Sequence, residues 1–394
     1  MFRFSLILWM LFIRKCAAEC QYHQPSKSMK CFNLYSIEEI NSNISEIINK
    51  NHASLSEIQA LELNRCNFNN LTASLLNVSP SVKQMKVTNC NIKILTSEAF
   101  NNLSNLAFLD LAVNNIEEIE NGVFDGSKNL THLSFSVNEL KTIPDDVFDK
   151  DNNIEFLRLA NNRIESICGR PLRNLNKLRD LSLSNNTLKK IEVGCFQDLG
   201  SLDSLALEYN KLEILEQGGF LGLSNLTSLD VSLNPLKVIK NDAFDGLISL
   251  TSLEIINCEL NILESASFRG LGNLKSLRLY RNKIASLPLD IFKGLVNLED
   301  LLLMENLLTR VNCKIFQDVP SLDTLYLSNN NLSSLEDGCF ESLKELVNLD
   351  LAYNKLTNIT DLTFRGLGNL NELHLANNNI SSISVNTFLE FPKL

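Results

Sequence analysis

The sequence predicts an α/β fold, a horseshoe-shaped solenoid with a parallel β-sheet on its concave face and irregular or short helical segments on its convex face. Two observations predict this fold. An apolar pattern, L-x-x-L-x-L-x-x-N-x-I/L, recurs with a 24-residue period, and a phenylalanine recurs outside the pattern with the same period. A repeat of this length cannot bury its own apolar face, so successive repeats must stack into one continuous core.

The composition agrees with a folded, non-membrane chain. Hydrophobic residues make up 44% and charged residues 21% of the 394 positions, which excludes disordered, collagen-like and multi-span membrane classes. There are 36 basic and 46 acidic residues, a formal charge of -10. Binding to nucleic acid through phosphates requires clustered Lys and Arg, so no nucleic-acid partner is expected.

Residues 1–18 are predicted to be a cleaved secretory signal. Arg3 precedes an apolar run at 4–13, and residues 16–18 offer small side chains for cleavage. Ten apolar residues are too few to cross a bilayer core of roughly 30 Å, which takes about 20 in a helix. The mature chain then keeps 33 basic and 46 acidic residues and nine cysteines.

A non-repeating segment, residues 19–57, is predicted to form an amino-terminal cap, and residues 58–394 form the repeats. Fourteen copies of the 24-residue repeat fit, and Leu394 begins a fifteenth, so we expect the chain to be cut from a longer one. The pattern asparagine recurs at Asn114, Asn138, Asn162, Asn186, Asn210, Asn234, Asn282, Asn306, Asn330, Asn354 and Asn378, and cysteine takes that place at Cys66, Cys90 and Cys258. The phenylalanine series runs through Phe100, Phe124, Phe148, Phe196, Phe220, Phe244, Phe268, Phe292, Phe316, Phe340, Phe364 and Phe388, with Leu76 and Leu172 in two further places.

These repeats resemble the leucine-rich repeat family in its 24-residue extracellular type, as in Toll-like receptor ectodomains, Slit and the acid-labile subunit. The resemblance covers residues 58–394, and two copies that carry it read Leu106, Leu109, Leu111, Asn114, Ile116 and Leu370, Leu373, Leu375, Asn378, Ile380. It implies that the asparagine amide bridges one turn to the next, because the sharp turn after each strand leaves backbone groups unpaired. Cysteine is a poorer hydrogen-bonding group, so the three cysteines in this place are interpreted as tolerated substitutes rather than functional thiols.

The resemblance also implies a disulfide between Cys20 and Cys31, since the family commonly places a disulfide-closed cap over its first exposed core layer. The chain departs from the family in two respects. The lead segment holds only two cysteines where several relatives carry four, and the closing cysteine-rich cap is absent.

Four other cysteines are predicted to pair by their position in the repeat. Cys168 and Cys195 lie at nearly the same level of consecutive turns, and so do Cys313 and Cys339. Neighbouring turns are close enough for the Cα separation of about 4.4–6.8 Å that a disulfide needs. The pairs Cys168–Cys195 and Cys313–Cys339 are therefore predicted, with free buried cysteines as the alternative.

Glycosylation signals agree with secretion. Asn-x-Ser/Thr predicts glycans at Asn43, Asn70, Asn102, Asn129, Asn185, Asn225, Asn331, Asn358 and Asn379. A glycan on Asn185, beside the predicted strand ladder, would block part of the concave surface.

Catalysis has no support in the sequence. The histidines are scattered, and no nucleophile elbow, phosphate-binding glycine loop or pair of catalytic carboxylates stands out. No C-x-x-C or H-x-x-x-H spacing predicts a metal site, and no cofactor is expected. The sequence therefore predicts a binding module rather than an enzyme.

The variable positions around each L-x-L motif are predicted to line the concave face. On later turns they form a run of aromatic, basic and apolar side chains, the types that dominate binding energy: Arg278, Tyr280, Arg281, Leu302, Met304, Tyr326 and Tyr353. A smaller candidate combines Phe108, Phe156 and Arg158. The alternative for both groups is that they are ordinary exposed side chains.

The resemblance implies an extracellular protein-binding module in innate immune recognition or cell-surface receptor signalling, secreted or on the extracellular side of the plasma membrane. Its expected partner is an extracellular protein ligand, a co-receptor or a second copy of the chain. The alternative is an adhesive or matrix structural protein with no signalling role. Capture of a lipid or glycan would require a continuous apolar pocket or a strongly basic face. Membrane attachment stays open, because the carboxy terminus is expected to be missing.

Overall fold

A computed structural model describes residues 18–71, 80–148, 151–389 and 391. The predicted signal peptide, residues 1–18, lies outside these residues except for Ala18, and so do Leu76 and Leu394. The chain divides into two compact units, Met1–Leu183 and Ser184–Leu394. We call them the amino-terminal and carboxy-terminal units. Each is a stack of parallel strands with few helices, as the repeat predicts.

The segment predicted to form the cap starts with an antiparallel hairpin, which begins the main sheet of the amino-terminal unit. Glu19–His23 pairs with Ser28–Phe32, which places Cys20 opposite Cys31. These two cysteines form a disulfide with a Cα separation of 4.0 Å. Ser28–Phe32 then pairs in parallel with Ala60–Asn64, so the cap covers the edge of the first repeat strand.

A helix, Ile37–Lys50, lies within the cap segment and was not predicted. Ser36 caps it, because its hydroxyl accepts a hydrogen bond of 3.1 Å from the Glu39 N–H. Its buried residues recur at every fourth position: Ile40, Ile44 and Ile48. This spacing puts them on one apolar stripe, which is the signal that could have predicted the helix.

Strands in the amino-terminal unit follow the repeat. The main sheet contains, in order, Glu19–His23, Ser28–Phe32, Ala60–Asn64, Gln84–Thr88, Phe108–Asp110, His132–Ser134, Phe156–Arg158 and Asp180–Ser182. A second sheet contains Asn70–Leu71, Ile94–Leu95 and Glu118–Ile119, and a 3-10 helix spans Leu55–Glu57. No helix in the described residues is long and apolar enough to cross a membrane.

The carboxy-terminal unit repeats the same plan. Its main-sheet strands are Ser204–Ala206, Ser228–Asp230, Ser252–Glu254, Ser276–Arg278, Asp300–Leu302, Thr324–Tyr326, Asn348–Asp350 and Glu372–His374. Its smaller strands are Ile214–Leu215, Val238–Ile239 and Ile262–Leu263 in one sheet and Asn358–Ile359 and Ser382–Ile383 in another, and a 3-10 helix spans Cys313–Asp318. Partners in the parallel pairs are one repeat apart along the chain, so side chains from equivalent repeat positions lie side by side.

Phenylalanines stack in a column inside the core, as the second series predicts. In the carboxy-terminal unit the Phe196, Phe220 and Phe244 rings are buried, with successive centroids 6.2 and 5.7 Å apart. The last member departs from the series. Phe388 is 41% exposed, and Phe391 takes the buried position against Phe364 instead.

The pattern asparagine bridges turns, as the family resemblance implies. The Asn330 amide donates to the Leu303 carbonyl of the preceding turn at 3.0 Å and to the Leu327 carbonyl at 3.1 Å. Its Oδ1 accepts from the Leu308 N–H at 2.9 Å. The Leu303 and Leu327 carbonyls also accept from Asn306 and Asn354, so consecutive asparagines share carbonyls and form a continuous ladder, in which Asn330 supplies the partner of the buried Leu308 N–H.

Cysteine performs part of this role where it replaces the asparagine. The Cys258 thiol is buried and approaches the Val231 carbonyl of the preceding turn at 3.7 Å. Burial raises the pKa of the Cys258 thiol to about 11. The thiol therefore stays protonated and unreactive at neutral pH. Cys66 and Cys90 are also free and buried.

One disulfide of the carboxy-terminal unit joins two consecutive turns. Cys313 and Cys339 are joined, with their Cα atoms 4.7 Å apart. Cys168 lies in the amino-terminal unit and Cys195 in the carboxy-terminal unit, so their pairing stays a prediction.

A second asparagine column runs through the loops and was missed by the sequence reasoning. Each member donates its side-chain amide to the carbonyl 25 residues earlier, at 2.7–2.9 Å: Asn105, Asn129, Asn153, Asn225, Asn273, Asn297 and Asn369. Two of them, Asn129 and Asn225, are also predicted glycosylation sites. Of the nine predicted sites, Asn43 and Asn331 are half-buried and the others are exposed, and their use stays a prediction.

Candidate partner-binding face

The main-sheet strands of the carboxy-terminal unit expose two rows of side chains. The middle leucine is buried in each of these strands except the last, Glu372–His374, where it is half-buried, and the residues on either side of it are half-buried or exposed. Arg278, Leu302 and Tyr326 occupy the third position of three successive strands and are direct neighbours in the pairing register. Three of the residues predicted to bind a partner are therefore side by side.

The other predicted residues lie just beyond the strands. Tyr280 and Met304 are half-buried, two positions after the strand end. Arg281 and Tyr353 are exposed and occupy the left-handed backbone region, with φ of 58° and 53°. A side chain other than glycine, asparagine or aspartate is uncommon in that region. We call these seven residues the carboxy-terminal face: Arg278, Tyr280, Arg281, Leu302, Met304, Tyr326 and Tyr353.

Both arginines of this face form ion pairs across one turn. Arg278 Nη1 lies 2.7 Å from Glu254 Oε1. Arg281 Nε donates to both carboxylate oxygens of Glu305 at 3.1 Å. Exposed pairs of this kind stabilise the fold by about 0–1 kcal/mol. They leave little positive charge free for a ligand.

Carboxylates dominate the next part of the sheet. Burial raises the pKa of the Asp300 carboxyl, and the charge of Asp323 raises it further, although Arg278 opposes the shift. Burial also raises the pKa of the Tyr326 phenol. The four carboxylates that add to this second shift belong to Glu372, Asp350, Asp300 and Asp323.

A groove of about 580 Å³ runs beside these carboxylates. It is lined by Glu299, Asp300, Ser321, Asp323, Glu345, Val347 and Asn369. Polar and acidic groups predominate in it, so it suits a cationic or hydrogen-bonding ligand better than a lipid tail.

The smaller candidate, in the amino-terminal unit, is a stack of rings. The His132 ring lies between Phe108 and Phe156, with centroid distances of 5.9 and 4.3 Å. Arg158 pairs with Asp180 at 3.3 Å. The sequence reasoning missed His132, although its position one repeat from each phenylalanine was the available signal. We call Phe108, His132, Phe156 and Arg158 the amino-terminal face.

Within the described ranges, no three His, Cys, Asp or Glu side chains gather closely enough to hold a metal ion. The histidine of the amino-terminal face is held by stacking and by a 2.9 Å contact between its Nδ1 and Thr131 Oγ1.

The family assignment follows from the repeat itself. The sequence model described as Leucine rich repeat matches residues 105–164, 152–212, 201–260, 248–308, 297–356 and 344–394. The chain belongs to the leucine-rich repeat family. Its solenoid is of the kind typical of non-enzymatic protein-interaction modules. Among curated proteins, no sequence relative matches the chain.

Solved structures with the same fold include three complexes. A chain of the Toll–Spatzle complex of Drosophila superposes with a TM-score of 0.77 and 23% identity, over 93% of this chain and 49% of that one. A chain of the TLR13–ssRNA13 complex superposes with a TM-score of 0.72 and 24% identity, over 88% of this chain and 56% of that one. A chain of the LRIM1/APL1C complex superposes with a TM-score of 0.70 and 20% identity, over 92% of this chain and 64% of that one. This chain thus spans about half the length of the Toll and TLR13 chains, and the likeness extends to the fold alone.

Proposed function

We propose that this chain is an extracellular leucine-rich repeat module that binds a protein partner through its carboxy-terminal face, in innate immune recognition or cell-surface receptor signalling. The observation that carries the proposal is the in-register row of Arg278, Leu302 and Tyr326. These side chains point away from the leucine core, so the core does not require them. Aromatic and arginine side chains are those that most often dominate binding energy.

The similar structures support this proposal by what they contain. Two are complexes of leucine-rich repeat proteins with a second protein, Toll with Spatzle and LRIM1 with APL1C. TLR13 is in complex with a single-stranded RNA. The carboxylates beside Tyr326 would repel the phosphates of a nucleic acid, so we propose a protein rather than an RNA partner for this chain.

The setting that we propose is extracellular, with no catalytic activity. Secretion, glycosylation and disulfide bonding are mutually consistent, since disulfides persist in oxidising compartments. The disulfides at Cys20–Cys31 and Cys313–Cys339 support that setting. The partner is a ligand, a co-receptor or a second copy of the chain.

A binding screen with matched variants tests the proposal. The purified full chain is screened against a panel of extracellular proteins, including itself and matrix proteins. The affinity of each binder is then measured for a triple variant, Tyr280→Ala, Arg281→Ala and Tyr326→Ala. We expect the triple variant to bind its partner at least about tenfold more weakly, as the loss of anchor residues requires.

The control variant carries three alanines at exposed apolar positions away from this face, Val193, Ile248 and Val296, which are 67%, 60% and 52% exposed. It should bind within about twofold of the unmodified chain. Equal affinity of the triple variant and the unmodified chain would contradict the proposal. Binding only to matrix proteins would identify the adhesive alternative instead.

A further inference from the structure

We infer that the segment recognised by the carboxy-terminal face is a basic polypeptide segment that presents lysine or arginine side chains. This inference rests on the proposed function, because it names the partner chemistry of the same face. It is carried by charge complementarity and by the apolar side chains that stand beside the charges.

Carboxylates that form no ion pair are the first observation. Asp300, Asp323 and Asp350 lie on or beside three successive main-sheet strands. Within the described part of the chain, no Lys or Arg forms an ion pair with any of the three. The neighbouring part of the sheet is different, because Lys275 pairs with Glu299 at 2.9 Å and Arg278 with Glu254 at 2.7 Å. The chain therefore neutralises one part of its sheet and leaves the adjacent part anionic.

Repulsion that acts on Asp300 is the second observation. Asp300 is half-buried, and burial together with the negative charge of Asp323 raises the pKa of the Asp300 carboxyl, although the charge of Arg278 opposes this shift. Asp323 accepts a 2.9 Å hydrogen bond from Thr324 and Asp350 a 3.0 Å hydrogen bond from the Ala352 N–H. These neutral donors do not cancel the charge. A bound cation would relieve the repulsion, whereas a bound anion would increase it.

Apolar side chains beside the charges favour a long cationic side chain over a simple metal ion. Tyr326 is half-buried among the carboxylates, and Leu302 is its direct neighbour in the sheet. Lys and Arg carry aliphatic stems that pack on apolar surface, while their charged ends reach acidic groups or the face of an aromatic ring. One lysine or arginine could therefore contact Tyr326 or Leu302 with its stem and Asp300 or Asp323 with its end.

The spacing of the carboxylates suggests how long the segment is. From the strand of Asp300 to that of Glu372 there are three steps between adjacent strands, each about 4.8 Å, or about 14 Å in all. An extended chain advances about 3.4 Å per residue, so about four residues would cross this distance. A segment of that length with two or more basic residues would match the row.

A defined basic peptide tests the inference without knowledge of the natural partner. Fluorescein-labelled nona-arginine is titrated into the full chain, and binding is followed by fluorescence anisotropy. The test variant, which removes the carboxylates beside the carboxy-terminal face, carries Asp300→Asn, Asp323→Asn, Asp350→Asn and Glu372→Gln. We expect at least tenfold weaker binding to this variant than to the unmodified chain, because near-isosteric amides remove the charge and keep the shape.

The matched control removes the same amount of charge elsewhere. It carries Glu117→Gln, Glu118→Gln, Glu165→Gln and Glu216→Gln, all at exposed positions. It should bind nona-arginine within twofold of the unmodified chain. Equal weakening in both variants would overturn the inference, since only net charge would then matter.

Carbodiimide cross-linking, which joins amines to carboxylates, locates a bound peptide independently, with nona-lysine as the probe. Adducts at Asp300, Asp323, Asp350 or Glu372 support the inference, and adducts confined to other carboxylates overturn it. The proposed function fails by a different result, namely full partner binding by the Tyr280, Arg281 and Tyr326 variant. Suppose instead that this triple variant loses partner binding, while the four carboxylate substitutions leave nona-arginine binding unchanged. Only the basic character of the partner segment is then rejected, and the proposed function stands.

Discussion

The two faces are built on the same repeat but differ in what their outward side chains contact. In the amino-terminal unit, His132 stacks between two phenylalanines, and Lys86 Nζ lies 5.5 Å from the Phe108 ring centroid. In the carboxy-terminal unit, no described ring stacks on Tyr326, and the nearby aspartates lack Lys or Arg ion-pair partners among the described residues. The face that we propose to bind a partner is therefore the one whose aromatic strand residue has no stacking partner among the described residues.

Substitution of a pattern asparagine should cost the most stability, and it tests whether this asparagine supports the turns of the carboxy-terminal unit. Asn330→Ala would leave the buried Leu308 N–H without a partner, while the Leu303 and Leu327 carbonyls would each keep one amide donor, from Asn306 and Asn354, so we expect a loss of about 1–3 kcal/mol in the free energy of unfolding. Cys258→Ala, in the same column, should cost only about 1 kcal/mol, because a thiol is a weak donor. Urea denaturation measures both. Equal losses would show that the asparagine contributes no more than the cysteine does.

A smaller change in stability is expected in the amino-terminal face, where substitutions test whether the rings stabilise each other. A double-mutant cycle of His132→Ala and Phe156→Ala should give a coupling of about 0.5–1.5 kcal/mol, as stacked rings do. As a control, Phe108→Ala and Ser182→Ala, three strands apart, should be additive to within about 0.3 kcal/mol. Additivity of the His132 and Phe156 substitutions, measured by urea denaturation, would remove the distinction between the faces.

The smallest expected effect concerns pH and the carboxy-terminal face. The folded state raises the pKa of Asp300, so it binds a proton more readily than the unfolded chain does. Stability therefore falls as the pH rises from the ordinary aspartate pKa through the raised one, and the cost persists at neutral pH. Asp300→Asn should raise the thermal midpoint at pH 7 and leave it nearly unchanged at low pH.

Asp350→Asn is the control for this pH effect, because its carboxyl accepts the Ala352 N–H of its own turn. It should not raise the midpoint at pH 7. If Asp300→Asn lowers the midpoint at pH 7, burial and repulsion do not act on Asp300 as described.

Much of the fold could be predicted because it repeats. The strands, the asparagine bridges and the phenylalanine column all recur with the same period, so one copy predicts the others. The short second strands, such as Ile262–Leu263, were not predicted, since two residues carry no alternation of their own. Phe388 follows the period yet is exposed, because Phe391 fills its place against Phe364.

The candidate faces were only partly predictable. Strand alternation identifies Leu302 and Tyr326 as outward residues, but their environment depends on neighbours one turn away. The sequence shows Arg281 and Glu305 one repeat apart. Their ion pair could be predicted only once the register between neighbouring turns was known. The half-burial of Asp300 depends on how surrounding side chains pack, which no single repeat encodes.

A photocross-linker placed on each face of the full chain distinguishes the two faces as partner sites. Tyr326 or, in a separate variant, Phe156 is replaced by p-benzoylphenylalanine, and the chain is irradiated with its partner from the binding screen. We expect a partner adduct from position 326 and none from position 156. An adduct from position 156 alone, or equal adducts from both positions, would show that the carboxy-terminal face is not the partner site.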